Sequence, residues 1–176
     1  MKNWPHTPIH LFERTGLYMV TGATYKKDLI FKRTDDLTAL QELLFELAEY
    51  YKWDLQAWAL FANHYHFLAY SPNNPNSLKT FVTHLHSTSA RNINQKYGTT
   101  GRMIWYQYWD SHITFPKSYY ARLNYVMQNP VKHKLVTLAE EYPWCSAYWF
   151  SQNASLQHQK TVKSFKINHV QILDEF

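Results

Sequence analysis

The chain has 176 residues, of which 45% are hydrophobic and 18% are charged, a composition typical of a globular protein and not of a disordered one. The length suits a single domain with a substantial core. No apolar run approaches the ~18 residues of a membrane span, the first residues lack the apolar stretch of a signal peptide, and the lone Cys145 excludes an internal disulfide. These features predict a cytoplasmic protein without a membrane-spanning segment.

Positive charge is concentrated in the second half of the chain. The whole chain has a net charge of +5, whereas the segment from Ser77 to Lys134 holds eight lysines or arginines and a single acid, Asp110, for a local charge of +7. Aromatic residues are interspersed in the same segment. Cations neutralise phosphates and aromatic faces stack on unpaired bases, so this pattern favours nucleic-acid binding. A solvated basic face over an aromatic core is an equally acceptable interpretation of the composition.

The predicted secondary structure follows the order β-α-β-β-α-β. Strands are predicted at residues 17–24, 53–62 and 63–70, with a strand or hairpin at 103–114. Helices are predicted from Thr34 onward, with leucines at helical spacing, and over residues 77–96. This order is that of a ferredoxin-like (RRM-like) α+β sandwich, in which helices cover an antiparallel sheet.

A further helix is predicted to open at Pro116 and Ser118 and to end near Asn129, because Pro130 follows it. We therefore expect one domain over residues 1–150 and a C-terminal tail of short segments over residues 151–176. The stretch from Gln152 to Phe176 is polar enough for the tail to be mobile.

Two His-x-His pairs occur in the chain. The segment around His64 and His66 alternates like a strand, so both imidazoles point to one face and can share a metal ion. His84 and His86 lie in a helical stretch, where a step of two residues rotates by ~200° and separates the rings. We interpret the second pair as a surface and a core position of one helix.

The last predicted helix carries a tyrosine away from its apolar stripe. That stripe spans ~120° and contains Tyr119, Tyr120, Leu123, Val126 and Met127. Tyr125 lies ~160° from the centre of the stripe, beside Arg122 and Asn129. Tyr125 is therefore not placed like a core aromatic, and its neighbours could hold a phosphate and ligate a metal. An ordinary surface tyrosine is the alternative.

Joined to the two histidines, this pattern indicates a metal-dependent tyrosine nuclease that acts on single-stranded DNA. A phenol has a pKa of ~10 and attacks a phosphodiester poorly unless a cation activates the phosphate. Two imidazoles and an amide oxygen form a neutral site with open positions, which suits Mg²⁺ or Mn²⁺. Attack by tyrosine conserves the bond energy in a phosphotyrosine, so no nucleotide cofactor is expected.

Three segments resemble the REP-associated tyrosine transposases, which belong to the single-tyrosine HUH transposases of bacterial insertion sequences. They are Asn-His-Tyr-His-Phe-Leu at 63–68, Leu-Asn-Tyr-Val-Met-Gln-Asn-Pro-Val-Lys-His-Lys-Leu-Val at 123–136, and Glu-Tyr-Pro-Trp-Cys-Ser at 141–146. Ala62 stands where the family usually has proline, and Lys134 replaces a usual glycine. The second departure predicts a different turn after the helix, or one formed without a positive φ.

The resemblance implies that Tyr125 is the nucleophile, forming a 5′-phosphotyrosine, that His64 and His66 bind the metal, and that Asn129 is the third ligand. It also implies the ferredoxin-like fold, with the HUH motif on a central strand and the tyrosine on a following helix. The implied partners are single-stranded or hairpin DNA, typically repetitive extragenic palindromes, so the cytoplasmic protein would be associated with the nucleoid. Related enzymes are monomers or homodimers, and both states stay open.

Five further residues are predicted to contact DNA. They are four phosphate-binding cations, Arg91, Arg102, Lys117 and Arg122, and one stacking platform, Trp105. Each could instead be an ordinary surface or core residue.

The alternative function is a non-catalytic protein that binds DNA hairpins. An RRM-like RNA-binding module is a weaker alternative, because the chain lacks the aromatic strand motif of that family.

Overall fold

A four-stranded antiparallel sheet forms the centre of the computed structural model, which describes residues 14–167 and residue 170. The strands are β1 (Leu17–Thr24), β2 (Asp54–Leu60), β3 (His64–Tyr70) and β4 (Trp105–Ile113), in the spatial order β2-β3-β1-β4. Helices α1 (Thr34–Tyr51) and α2 (Ser77–Lys96) connect β1 to β2 and β3 to β4. This architecture confirms the predicted ferredoxin-like α+β fold. Residues 103–114 contribute a single strand, not a hairpin.

The two faces of the sheet have separate hydrophobic cores. On one face, Tyr18, Val20 and Phe67 pack against leucines of α1 and α2 and against Phe81 of α2. The opposite face, which includes Met19 and Leu68, is covered by α3 (Pro116–Lys132). Residues of the C-terminal helices α4 (Ala147–Asn153) and α5 (Leu156–Ser164) belong to the same core. Side chains alternate along a strand, so His64 and His66 lie on the same side of β3 as Leu68. Both histidines therefore face α3.

A glycine allows β1 and β3 to approach closely beside the histidines. Gly22 pairs with Tyr65 across the two strands. A Cβ atom at Gly22 would lie 2.4 Å from the Tyr65 ring, closer than any real contact, so the strand requires glycine here. Tyr65 is fully buried, and its hydroxyl lies 2.8 Å from Nε2 of His86.

The outer edge of β2 is covered by the segment Tyr142–Ser146. The Leu60 N–H donates to the Trp144 carbonyl (3.0 Å), and the Ser146 N–H donates to the Trp58 carbonyl (2.9 Å). The Tyr142 hydroxyl donates to the Leu60 carbonyl over 2.9 Å. These bonds satisfy backbone groups that an edge strand would otherwise leave open.

The prediction that α3 ends near Asn129 was wrong, because the helix continues through Pro130 to Lys132. A proline has no N–H to donate to the carbonyl four residues earlier, which here belongs to Val126. The buried Cys145 thiol lies 3.8 Å from that carbonyl and 3.6 Å from the next, that of Met127. The thiol thus provides a weak donor at the position where the helix loses one.

The turn after α3 also differs from its prediction. Lys134 has φ 58°, so the turn uses the left-handed conformation although lysine replaces glycine there. The alternative of a turn without a positive φ was therefore wrong. Backbone bonds close the turn, since the N–H groups of Lys134 and Leu135 donate to the carbonyls of Val131 and Pro130. These bonds compensate for the strain of about 1 kcal/mol that a side chain suffers in this conformation.

Part of the C-terminal segment that we expected to be a mobile tail is helical and packed. Val162 of α5 is fully buried, and the Asn124 side chain of α3 donates to the Phe165 carbonyl over 2.8 Å. The Tyr120 and Phe165 rings lie 5.3 Å apart. A few apolar residues at helical spacing therefore anchor an otherwise polar segment. The last positions of the predicted tail, 168–169 and 171–176, lie outside the described residues.

No helix in the described part of the chain is both long and apolar enough to cross a bilayer.

The two rings of the second His-x-His pair are separated as predicted, although His86 is partly buried and not a full core position. His84 is exposed, with its Nδ1 3.2 Å from the Tyr51 hydroxyl. The His86 ring stacks on Trp105, with centroids 4.6 Å apart, and it also contacts the buried Tyr65. Burial lowers the pKa of His86 to about 3. His86 is therefore neutral in the folded protein at any pH near neutrality.

We expect this partly buried, neutral histidine to make the fold less stable in acid. An unfolded histidine has a pKa of ~6.5, so between this value and about 3 the unfolded state binds a proton that folded His86 excludes. The free energy of unfolding should therefore fall as the pH falls below ~6.5, by up to about 1.4 kcal/mol per pH unit for this group. Denaturant titrations of His86→Gln between pH 7 and pH 4 should show a shallower dependence than the wild type.

His84→Gln is the matched control for that titration, since it removes an exposed imidazole from the same helix. Its pH dependence should equal that of the wild type. If the free energy of unfolding depended on pH equally in the His86 and His84 variants, His86 would not be the group responsible.

Candidate active site

His64 and His66 project from β3 into the interface with α3, and their side chains are buried. Their exposed fractions are 2% and 0%, and their ring centroids lie 5.2 Å apart. Nδ1 of His66 is 2.7 Å from the hydroxyl of Thr21, its cross-strand partner on β1. Nδ1 of His64 is 2.7 Å from Oδ1 of Asn63. Each ring is thus held through Nδ1, which orients it and leaves Nε2 as the nitrogen available to a ligand.

The protonation of His64 follows from its neighbour. The Asn63 amide nitrogen donates to the Lys27 carbonyl over 3.3 Å, so its carbonyl oxygen is the atom that faces His64. A carbonyl oxygen only accepts, and Nδ1 of His64 must therefore carry the hydrogen. Nε2 of a neutral His64 then carries the lone pair, which is the form that binds a metal.

Helix α3 brings Tyr125 and Asn129 to the same place. They are one helical turn apart, and the Tyr125 ring lies edge-on to His66 with centroids 5.6 Å apart. Asn129 is fully buried, and its side chain interacts with His64. The four residues that the sequence singled out for chemistry therefore lie together, although about sixty positions separate the two segments.

Tyr125 is buried, with an exposed fraction of 3%, so the prediction that it lies away from the core was wrong. A helical wheel assigns one buried side to a helix, whereas α3 is buried on two. The sheet covers the side that carries Tyr125 and Asn129, and the Tyr120 side contacts Phe165 beyond α5. The burial of Tyr125 places its phenol at the histidines and not on an open surface.

The electrostatics of the cluster favour the neutral form of His64. Burial lowers the pKa of His64 far below its ordinary value, and the nearby charges of His66, His133 and Lys132 act in the same direction. Burial also lowers the pKa of His133, again with a contribution from Lys132. Because metals bind the neutral imidazole, this environment favours the ligand form of His64.

Two residues at the end of α3 belong to the site although the sequence analysis missed them. The His133 ring lies 5.0 Å from that of His64. Nζ of Lys132 is 3.5 Å from the Tyr125 hydroxyl and 5.0 Å from the centre of its ring. The seven-residue spacing from Tyr125 to Lys132 is two helical turns and could have indicated this contact. The roles of Thr21 and Asn63 depend on strand register and on a loop contact, which the sequence alone does not supply.

The donor set fits a divalent cation that completes its coordination with substrate and water. Nε2 of His64 and Oδ1 of Asn129 are buried side-chain atoms, and His66 lies beside them. Within residues 14–167 and 170, no three His, Cys, Asp or Glu side chains are grouped as a metal site. The candidate set is therefore two imidazoles and one amide, a neutral combination compatible with Mg²⁺ or Mn²⁺.

The predicted phosphate-binding cations are distributed over several parts of the fold. Arg91 is exposed on α2, in the helical layer on the other side of the sheet from the histidines. Arg102 is exposed in the turn before β4, with its Nε 3.3 Å from Oδ1 of Asn94. Lys117 is exposed at the start of α3, and Arg122, partly buried one turn before Tyr125, donates to the Ser118 hydroxyl. Burial lowers the pKa of Arg122. Of the four, only Lys117 and Arg122 share a helix with Tyr125.

Trp105 does not agree with its predicted role as a stacking platform for bases. Its exposed fraction is 7%, and the rings around it belong to protein side chains, Phe31 at 5.3 Å, His86 at 4.6 Å and Tyr65 at 5.4 Å. Its indole N–H donates to the Ser89 hydroxyl over 2.9 Å. Trp105 is a core residue, because its position on β4 faces α2 and not the solvent.

Comparisons with known proteins identify the family of this chain. The family described as transposase IS200 like matches residues 15–129. A Haemophilus influenzae protein that carries the provisional name REP-associated tyrosine transposase is 27% identical over 146 residues, which span 77% of this chain and 81% of the relative. The solved structure of a REP-associated tyrosine transposase bound to a REP hairpin has a TM-score of 0.66 at 16% identity, over 100% of this chain and 95% of that one. The chain therefore belongs to the IS200-like transposase family, and the REP-associated tyrosine transposases are among its relatives.

Proposed function

We propose that this protein nicks and rejoins single-stranded DNA next to a hairpin, with Tyr125 as the nucleophile. The observation that carries the proposal is the buried cluster in which the Tyr125 ring meets His66, while Asn129 from the same helix meets His64. A tyrosine in contact with a set of neutral metal ligands has the groups that phosphoryl transfer requires.

In the proposed reaction, the phenol oxygen of Tyr125 bonds to the phosphorus of a DNA phosphodiester. The bond from phosphorus to the 3′ oxygen breaks, and its electron pair leaves with that oxygen. The proton lost by the phenol is balanced by the proton that the leaving oxygen gains, so the products are a 5′-phosphotyrosine and a free 3′ hydroxyl. The reverse attack by a 3′ hydroxyl restores the phosphodiester without a nucleotide cofactor.

The side chains around Tyr125 have separate tasks in this proposal. His64, His66 and Asn129 would hold Mg²⁺ or Mn²⁺, and when bound this cation would supply a Lewis acid for the phosphate. Thr21 and Asn63 keep the two imidazoles oriented through Nδ1. Because the cluster is buried, its groups are already in place before DNA arrives, which lowers the cost of reorganisation.

Hairpin DNA is the partner that the comparisons favour. The structurally similar REP-associated tyrosine transposase was solved with a REP hairpin, and the segment from Ser77 to Lys134 has a local charge of +7. Exposed Lys117 lies on the helix that carries the nucleophile. We therefore expect palindromic hairpins with a single-stranded extension to be better ligands than plain duplex DNA.

The direct test is to incubate the purified protein with a library of 5′-extended DNA hairpins and either Mn²⁺ or Mg²⁺. A denaturing gel should show a covalent protein–DNA band that a chelator prevents and that added metal restores. Hairpin binding without a covalent band in either metal, across the library, would contradict the proposal and favour the alternative of a non-catalytic hairpin-binding protein.

A further inference from the structure

Lys132 brings a cation to the phenol of Tyr125. Its Nζ lies 3.5 Å from the Tyr125 hydroxyl oxygen and 5.0 Å from the ring centroid. The two residues also differ in exposure, since Tyr125 is buried whereas Lys132 is an exposed residue. The ammonium group thus lies at the boundary between the buried cluster and the solvent.

The geometry of α3 brings the Lys132 side chain to Tyr125. Seven residues advance a helix by two turns and leave a rotation of only ~20°, so Tyr125 and Lys132 lie on one ridge, with Asn129 between them. Helical side chains lean toward the N-terminus of their helix. A long side chain at position 132 therefore extends back along α3 toward Tyr125. The passage of α3 through Pro130 is necessary for this arrangement, because a helix that ended at Asn129 would leave Lys132 in a turn.

The other cations near this helix have different environments. Arg122 donates to Ser118, one turn before it on α3. Lys134 is an exposed residue in the turn after the helix, where its backbone has φ 58°. The contact of Lys132 with the phenol therefore follows from its place on α3.

We propose that Lys132 is a phosphate-binding residue of the active site, which orients the phenol of Tyr125 and holds the non-bridging oxygens of the phosphate that Tyr125 attacks. This inference rests on the proposed function and deepens it. An ammonium at 3.5 Å from the attacking oxygen is also within hydrogen-bond reach of oxygens on a phosphorus bonded to that atom. Its charge then counters the negative charge that the phosphoryl group carries during transfer.

The contact also has a consequence after cleavage. The 5′-phosphotyrosine remains a phosphodiester with one negative charge, now attached to a buried side chain. Lys132 would form a charge-assisted hydrogen bond to this group and stabilise the covalent intermediate until a 3′ hydroxyl attacks it. The same residue would thus act in nicking and in rejoining.

The test compares Lys132→Gln and Lys132→Arg with a matched control, Lys134→Gln, under single turnover with saturating hairpin DNA. We expect Lys132→Gln to form the covalent product about 10- to 100-fold more slowly, while its affinity for the uncut hairpin changes less than about threefold, as for a single exposed phosphate contact. Lys132→Arg retains the charge and should restore most of the rate. Lys134→Gln should behave like the wild type, and thermal melting should show that all three variants are folded.

Three outcomes would overturn the inference. Lys132→Gln could react at the wild-type rate, Lys132→Arg could fail to restore a slowed rate, or rate and hairpin affinity could fall by the same factor, as for a general DNA contact. Failure of the proposed function is distinguishable from all three, because in that case the wild type itself forms no covalent product in either metal.

Discussion

Tyr125→Phe is expected to abolish the covalent protein–DNA product, with a loss of at least about 10³-fold, and to leave hairpin binding unchanged. The substitution removes one oxygen atom and keeps the ring that packs edge-on against His66. The buried cluster should therefore retain its shape, and the free energy of unfolding should change by no more than about 1 kcal/mol. The measurements are a denaturing gel for the product, a gel shift for the uncut hairpin and thermal melting.

Tyr119→Phe is the matched control for this experiment. Tyr119 lies on the same helix and is partly buried, but its ring contacts Tyr120 and not the histidines. This variant should form the covalent product at the wild-type rate. A covalent product in Tyr125→Phe would mean that a different side chain is the nucleophile.

His66→Ala is expected to have the second largest effect, on metal binding as well as on cleavage. His66 is fully buried and is held by Thr21, so its removal deletes one of two imidazoles from the candidate metal site. We expect Mn²⁺ affinity without DNA to fall at least about tenfold, and covalent product formation to fall at least about 100-fold. Free Mn²⁺ can be followed by electron paramagnetic resonance during a titration, which separates binding from activity.

The control for this variant is His84→Ala, which removes an exposed imidazole on the other side of the sheet. It should bind Mn²⁺ and form the covalent product like the wild type. Since His66 is buried, thermal melting must show that His66→Ala is folded under the assay conditions. Unchanged Mn²⁺ affinity and unchanged cleavage in a folded His66→Ala protein would exclude His66 as a ligand.

Local periodicity predicted the elements that have one buried side or a clear alternation. β1 and α2 begin and end where the sequence indicated, at Leu17–Thr24 and Ser77–Lys96. The alternation around His64 and His66 likewise placed both rings on one face of a strand. In these segments the pattern of side chains and the tertiary contacts require the same structure, so the sequence alone was sufficient.

The errors occurred where contacts distant in sequence determine the outcome. Tyr125 was misplaced because the C-terminal helices cover the side of α3 that the sheet does not. Pro130 was treated as a helix end, although Cys145 contacts the carbonyl that the proline leaves unsatisfied. Trp105 was predicted to stack on DNA bases because it lies in a segment rich in basic and aromatic residues. Its position on the sheet instead directs it into the core. Each error would require knowledge of tertiary packing to correct.

The Tyr142–Ser146 segment determines how this protein could be shortened. Its backbone is bonded to the edge of β2, and its Cys145 thiol contacts the last turns of α3, so one short stretch joins the sheet to the helix that carries Tyr125. A truncated chain that stops after α3 would keep Tyr125, Asn129 and the two histidines. It would lose the segment that holds α3 in position against the sheet. The shortest fragment that keeps the site intact should therefore extend beyond the site residues of α3. It should include Phe165, whose carbonyl accepts a hydrogen bond from Asn124.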